Sequence, residues 1–312
     1  MIQRIAGHFL HTGEPSLGGA LASTSTRIDQ AVTRRCTMST HHPFDPSAAQ
    51  EGLLPVGHSR LYYRDLGHGQ PLFLLHGGPS FSHSYLLPDM DRLADAFRLI
   101  YYDQRGRGKS AGDVDPTAVS MQSEVDDLEY ALRHPARVSH LVLLNTAPAS
   151  HDDCVLFEQQ RDGQAPADAA LLLELEASPA YAQGDLEARA AANRVYFRAT
   201  LQSPELLDRL IEHLQTGWTK EDVLTARAIG KQLWDETYGS TRYDLLPKLT
   251  RLRIPTLILH GDYDFVPLAC AAHIAEALPD ARLVVLSDCG HFSYLERPDA
   301  VRTALSEFFQ AS

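Results

Sequence analysis

"IPTLILHGDYD", residues 254–264, decides the fold. Its apolar residues run almost without interruption, where a strand with one wet face would alternate. Such a run suits a parallel strand covered by helices on both faces. It stops at Gly261 and is followed by Asp262 and Asp264. "ARLVVLSDCGH" (281–291) repeats the pattern and ends in His291, and "SHLVLLNTA" (139–147) is a third apolar run of the same kind. Between and after them, "PLACAAHIAEALP" (267–279) and "RPDAVRTALSEFF" (297–309) carry apolar residues at helical spacing. Strand alternating with helix at these lengths predicts a doubly wound, mostly parallel α/β sheet.

Working toward the N-terminus, "LYYRDLG" (61–67), "PLFLLHGG" (71–78) and "FRLIYYDQRG" (97–106) read as strands closed by Gly or polar turns. "DMDRLADAF" (89–97) and "VSMQSEVDDLEYALRHP" (119–135) read as helices. From 148 to 249 the period is helical throughout, in "LLLELEAS", "LEARAAANRVYFRATL", "PELLDRLIEHLQ" and "KEDVLTARAIGKQLW". This span is expected to be a helical lid dividing the core into 51–147 and 250–312. The first 37 residues hold four Arg, two acids, many Ser, Thr and Gly, and no sustained periodicity. Residues 1–50 are therefore expected to be a disordered extension, with Met38 as an alternative start.

A net charge of −12 with only four Lys argues against nucleic acid or an anionic membrane as partner, since both require clustered cations. Four cysteines without C-x-x-C spacing give neither a disulfide framework nor a zinc site, which fits a cytoplasmic protein. No run of 18 apolar residues is present.

The carboxyl ends of parallel strands are where ligands and reacting groups gather. Asp264 and His291 follow directly on two such ends, one helix and one strand apart. Acid before base in that order suits a serine-hydrolase triad, in which the acid orients the imidazole and the imidazole takes a proton from the nucleophile. His260, Asp262 and Asp264 could ligate a metal by residue type, but no second ligand cluster completes a site, and no cofactor is expected. In "LLHGGPS" (74–80) the two glycines let the backbone approach a ligand and aim an N–H at a developing oxyanion. Pro79 has no N–H, so Gly77 or Gly78 is the candidate donor.

Together, "HGGPS", "YYDQRGRGKS", "LILHGDYDFVP" and "GHFSYLERP" resemble the α/β-hydrolase superfamily and, within it, the proline iminopeptidase-like branch. The likeness extends over about residues 53–309. It implies Asp264 and His291 as triad acid and base, Gly77 and Gly78 as the oxyanion loop, and a small peptide, amide or ester as substrate. Ser80 stands where that branch has Gly in HGGPG. In such aminopeptidases lid carboxylates hold the substrate's free amine, which makes Glu158, Glu174, Glu176 and Glu187 candidates.

The nucleophile is the difficulty. "GKSAG" (108–112) is the only G-x-S-x-G in the chain, yet a nucleophile elbow lies between a buried strand and a helix. Ser110 has polar, Gly-rich sequence on both sides. The resemblance places Asp103 to Ser110 on D-x-R-G-x-G-x-S, a structural loop. Nor is this a phosphate loop, because Asp103 occupies the position of its first glycine.

Between Asp103 and His140 a hydrolase needs helix, strand, elbow and helix, and here one helical pattern fills the interval. "SEVDDLE" resembles the opening of the first helix and "YALRHPARVSHLVLLN" the close of the second, so Glu129 and Tyr130 mark a missing strand-plus-helix unit of roughly 25–30 residues. The absent strand would be buried, at ~1.5–3 kcal/mol per large apolar side chain against a total stability of ~5–15 kcal/mol. The flanking half-helices are expected to fuse while their neighbours close the gap. Three functional outcomes remain open: a hydrolase silenced by deletion, a working one that uses Ser110 or Ser80, and a non-catalytic ligand-binding relative.

Overall fold

In the computed structural model, Thr256–Gly261 forms strand β7, and every one of its residues is buried. Side chains alternate across a strand. Leu257 and Leu259 accordingly enter one apolar cluster with Val301, Leu305 and Phe308, while Ile258 enters another with Leu252, Ala271 and Ile274. Apart from Leu252, in the loop before β7, those partners belong to helices on opposite faces of the sheet, α7 (Leu268–Ala277) and α8 (Pro298–Gln310). The structure describes residues 28–30, 48–57, 59–112, 114–132 and 138–311.

Two four-stranded sheets make up the framework. In the all-parallel sheet, β7 lies between β6 (Leu141–Leu144) and β8 (Ala281–Leu286), and β1 (Ile28–Gln30) runs along the outer edge of β8. The mixed sheet has the order β2-β3-β5-β4, from β2 (Gln50–Val56), β3 (Ser59–Gly67), β5 (Phe97–Tyr102) and β4 (Gln70–Leu75). Here β2 and β3 form an antiparallel hairpin, and β4 is parallel to β5 with Leu72 opposite Leu99 and Leu74 opposite Tyr101.

Three expectations need correction. The segment 89–97 contains a 3-10 helix, Met90–Asp95, in place of an α-helix. Ile28–Gln30, expected to be disordered, is a strand, because the open N–H and C=O groups of β8's edge accept an extended segment. Residues 1–27 and 31–47 of the extension lie outside the described residues.

The third concerns the sheet itself, which is divided between β4 and β6 rather than closed into one. These edge strands are not hydrogen-bonded to each other. They share a core all the same: Leu72 and Leu74 of β4 and Val142 and Leu144 of β6 pack against the same cluster, which contains Leu99 and Tyr101 from one sheet and Leu257 and Val284 from the other. Apolar packing therefore joins what backbone pairing does not.

A single helix, α1 (Met121–Leu132), spans the Glu129–Tyr130 junction. Two ion pairs, at Glu124 and Asp127, fasten it to the loop after β5. Arg105 contacts Asp127 at 2.9 and 2.5 Å, and the fully buried Arg107 contacts Glu124 at 3.0 and 2.6 Å. Leu128 packs with Val56, Leu61 and Tyr102 of the mixed sheet.

The segment between β6 and β7 is helical. It comprises α2 (His151–Gln164), α3 (Pro166–Glu176), α4 (Leu186–Phe197), α5 (Leu207–Gln215) and α6 (Lys220–Glu236), together with shorter turns. Leu210, Ile211 and Leu214 of α5, at i, i+1 and i+4, enter the central cluster. No described helix is long and apolar enough to cross a membrane.

Strands bonded on one side leave part of their amides without a ladder partner. Hydrogen exchange followed by NMR is therefore expected to protect β7 throughout while β4 and β6 exchange faster, and equal protection of all three would contradict the divided sheet. Leu257→Ala, in the fully buried centre, is expected to cost about 2–5 kcal/mol by urea denaturation.

Candidate active site

Strand β7 ends at Gly261, and Asp264 follows in a turn whose N–H returns to the Gly261 carbonyl at 3.2 Å. The Asp264 side chain is wholly buried. Its Oδ1 accepts from His291 Nδ1 at 2.9 Å and from the Val266 amide at 2.9 Å, and its Oδ2 accepts from Asn145 Nδ2 at 2.9 Å. Burial alone raises a carboxyl pKa. Here the charge and hydrogen bond of His291, the charge of His260 and the Asn145 amide outweigh it, and Asp264 lies below the ordinary Asp value. An Nδ1 proton on His291 directed at Asp264 leaves Nε2 as the basic nitrogen. The ring is held edge-on by Phe265 and Phe292, at 4.7 and 5.2 Å between centroids.

The loop that carries His291 is fixed by its backbone. Asp262 accepts from the amides of Asp288 and Cys289 at 3.1 and 3.0 Å. Glu296, largely buried, accepts from the Gly290 amide at 2.9 Å and from the Gln202 and Ser203 amides at 2.8 and 3.1 Å. The His291 amide donates to the Thr200 carbonyl at 2.8 Å. Close approach requires glycine at two points. A Cβ at Gly261 would overlap the carbonyl oxygens of Cys289 and Gly290, and one at Gly290 would overlap that of Thr200.

Asn145, Ser293 and Glu296, which surround the Asp264–His291 pair, escaped the sequence reading, and Asp262, read there as a possible metal ligand, holds the His291 loop instead. Asn145, at the end of β6 with a left-handed φ of 46°, also donates to the Gly290 carbonyl at 3.1 Å and accepts from the Ser293 hydroxyl. The signal that singled out Asp264 and His291 was present here too: a polar residue directly after a buried parallel strand.

The structure joins Asp264 to His291 by a direct hydrogen bond, and the remaining candidates have other partners. Gly77 donates its N–H to the Tyr85 hydroxyl at 2.6 Å, while Gly78 is exposed. His76, beside them, accepts from the Gln104 amide through Nε2 at 3.1 Å, which leaves Nδ1 to donate to the Gly77 carbonyl at 3.2 Å. Burial pushes its pKa down to about 4, so the imidazole is neutral. Ser110, 3% exposed, donates to the Asp103 carbonyl at 2.7 Å and accepts from the Tyr62 amide at 2.8 Å, so its hydroxyl is engaged between β3 and the end of β5. Ser80 is half-buried beside α6. Among the described residues no serine hydroxyl is hydrogen-bonded to His291. Glu158, Glu174, Glu176 and Glu187 are all exposed. As for the possible metal ligands, His260 contacts the Val266 carbonyl at 3.0 Å and Asp262 holds the His291 loop.

With this geometry in hand, the class is defined: the chain belongs to the alpha/beta hydrolase fold family, whose model matches residues 128–298. Within that class it is similar to proline iminopeptidases. That of Lactobacillus helveticus (strain DPC 4571) is 26% identical over 297 residues, covering 83% of this chain and 97% of the relative. That of Lactobacillus crispatus (strain ST1) is 27% identical over 288 residues, covering 80% and 94%. Among solved structures, the proline iminopeptidase of Mycobacterium smegmatis has a TM-score of 0.61 at 20% identity, covering 84% of this chain and 98% of that one. An esterase from Exiguobacterium antarcticum has a TM-score of 0.57 at 21% identity, covering 81% and 96%.

Because the native Asp264 pKa is depressed, its contribution to stability is present above the unfolded value of about 3.9 and is lost as pH falls through the native value. The stability difference between wild type and Asp264→Asn, read from urea midpoints, is therefore expected to narrow as pH drops below about 4. A difference independent of pH would contradict the depressed pKa. Gly261→Ala is expected to cost ~1–3 kcal/mol, because the atoms it meets are backbone and cannot rotate away.

Proposed function

We propose that this chain is a proline iminopeptidase-type serine hydrolase scaffold that keeps the acid, Asp264, and the base, His291, and has lost the elbow serine between them. The observation that carries the proposal is the coincidence of two gaps. His291 has its Asp264 partner and, among the described residues, no serine, and the sheet divides between β4 and β6, on either side of the Glu129–Tyr130 junction. The relatives support the same reading: alignment with the Lactobacillus helveticus enzyme takes 297 positions yet covers 83% of a 312-residue chain, so several tens of positions face no residue here.

The ligand in this reading is a small peptide, amide or ester, which the relatives' name supports, with the Gly77–Gly78 loop as its proposed oxyanion side. A cytoplasmic location fits the three described cysteines, all buried and free. His291 without a hydroxyl partner has no proton to accept, and loss of the nucleophile alone can lower turnover about a millionfold.

The test has two arms. The purified chain should take no label from a fluorophosphonate probe and release no p-nitroaniline from proline p-nitroanilide, and labelling of any serine, Ser110 and Ser80 included, would overturn the proposal. Inserting a strand, a G-x-S-x-G turn and a helix of about 25–30 residues between Glu129 and Tyr130 should restore both signals. Resequencing the gene across these two codons shows whether the gap is in the locus itself.

A further inference from the structure

Helix α4 buries an arginine that has no acid among the described residues. Arg189 is 6% exposed, and its guanidinium lies over the Trp218 indole at 4.2 Å. One of its terminal nitrogens is buried without a hydrogen-bond partner among the described residues. Burial pushes its pKa down to about 10, with the charge of Arg227 acting in the same direction. Arg227, on α6, donates to the Tyr181 carbonyl at 2.6 Å and stacks on the Tyr181 ring at 4.2 Å. No carboxylate among the described residues pairs with either arginine, and Glu176 accepts from the Tyr181 hydroxyl at 3.3 Å instead. Two guanidinium groups within electrostatic reach of each other and without a counter-charge are costly to hold.

Arg227 lines an open cleft of about 470 Å³ whose wall also includes Pro79, Ser80, Ala182, Gly230 and Lys231 and no acidic residue. Lys231 pairs with Asp235 at 2.6 Å, but both side chains are well exposed and the pair is screened by water. In a protein of net charge −12, this is a local concentration of positive charge. Pro79 and Ser80 continue the Gly77–Gly78 loop, so the cleft opens directly beside the backbone proposed to face a scissile carbonyl.

We infer that this cleft is a carboxylate-binding subsite that holds the free C-terminus of a short peptide whose other end lies against the Gly77–Gly78 loop. The planar fork of an arginine matches a carboxylate through two parallel hydrogen bonds, and an anion here supplies the counter-charge that Arg227, on the cleft wall, lacks among the described residues. The inference rests on the peptide-directed reading above but not on turnover.

Titration calorimetry with the tripeptide Pro-Gly-Gly and with its C-terminal amide tests it. The acid is expected to bind at least tenfold more tightly than the amide. Arg227→Gln should abolish that difference, and Lys231→Gln, on an exposed helix face where folding is safe, should reduce it about threefold. Equal affinity for acid and amide overturns the subsite while leaving the peptide reading in place, whereas failure of both to bind overturns the two together. Competition by inorganic phosphate as effective as that of the tripeptide acid overturns the assignment to a peptide terminus.

Discussion

A buried carboxylate cannot stay charged unless its lone pairs are filled, and Asp264 fills them from three strand ends. Its own turn after β7 supplies the Val266 amide, β6 supplies Asn145 and β8 supplies His291. With the side chain fully shut off from water, each donor offsets part of a desolvation cost of several kcal/mol. The carboxyl ends of β6, β7 and β8 therefore converge on one atom group. The Asp264 carboxylate orients the His291 ring, and the same contacts hold together the end of the parallel sheet.

How much of this could be read in advance depends on the kind of signal. β7 and β8 were legible because burial on both faces leaves almost no choice but Leu, Val and Ile, and the pairing of Asp264 with His291 was legible because a polar residue soon after such a run is conspicuous. Asn145 satisfied the same rule and was passed over, since an amide draws less attention than an acid or an imidazole. β2 escaped because "EGLLPV" is short and contains Pro55. Gly261 could not be read from sequence, because its need for a missing Cβ comes from carbonyls some thirty residues away. Arg189 was hidden for the opposite reason: in a helix of mixed polarity it looks like a solvated face, and only the fold shows Trp218 above it.

The divided sheet was legible in part. Counting elements located the break at Glu129–Tyr130, and α1 does run through it as one helix. The expectation that the neighbours would close the gap overlooked what α1 is tied to. Arg105 and Arg107 anchor it to the mixed sheet through Asp127 and Glu124, so β4 and its partners are held there while β6 stays with β7. Side chains from the two sheets still share one cluster, since apolar contacts need proximity and no ladder.

Glu296 gives the site a mechanical property. By accepting amides from Gln202 and Ser203 as well as from Gly290, and with the His291 amide hung on the Thr200 carbonyl, the stretch at the end of α4 becomes the bracket from which the imidazole is suspended. The imidazole thus rides on the segment after α4 as much as on the sheet beneath it, so its aim is set jointly by the two.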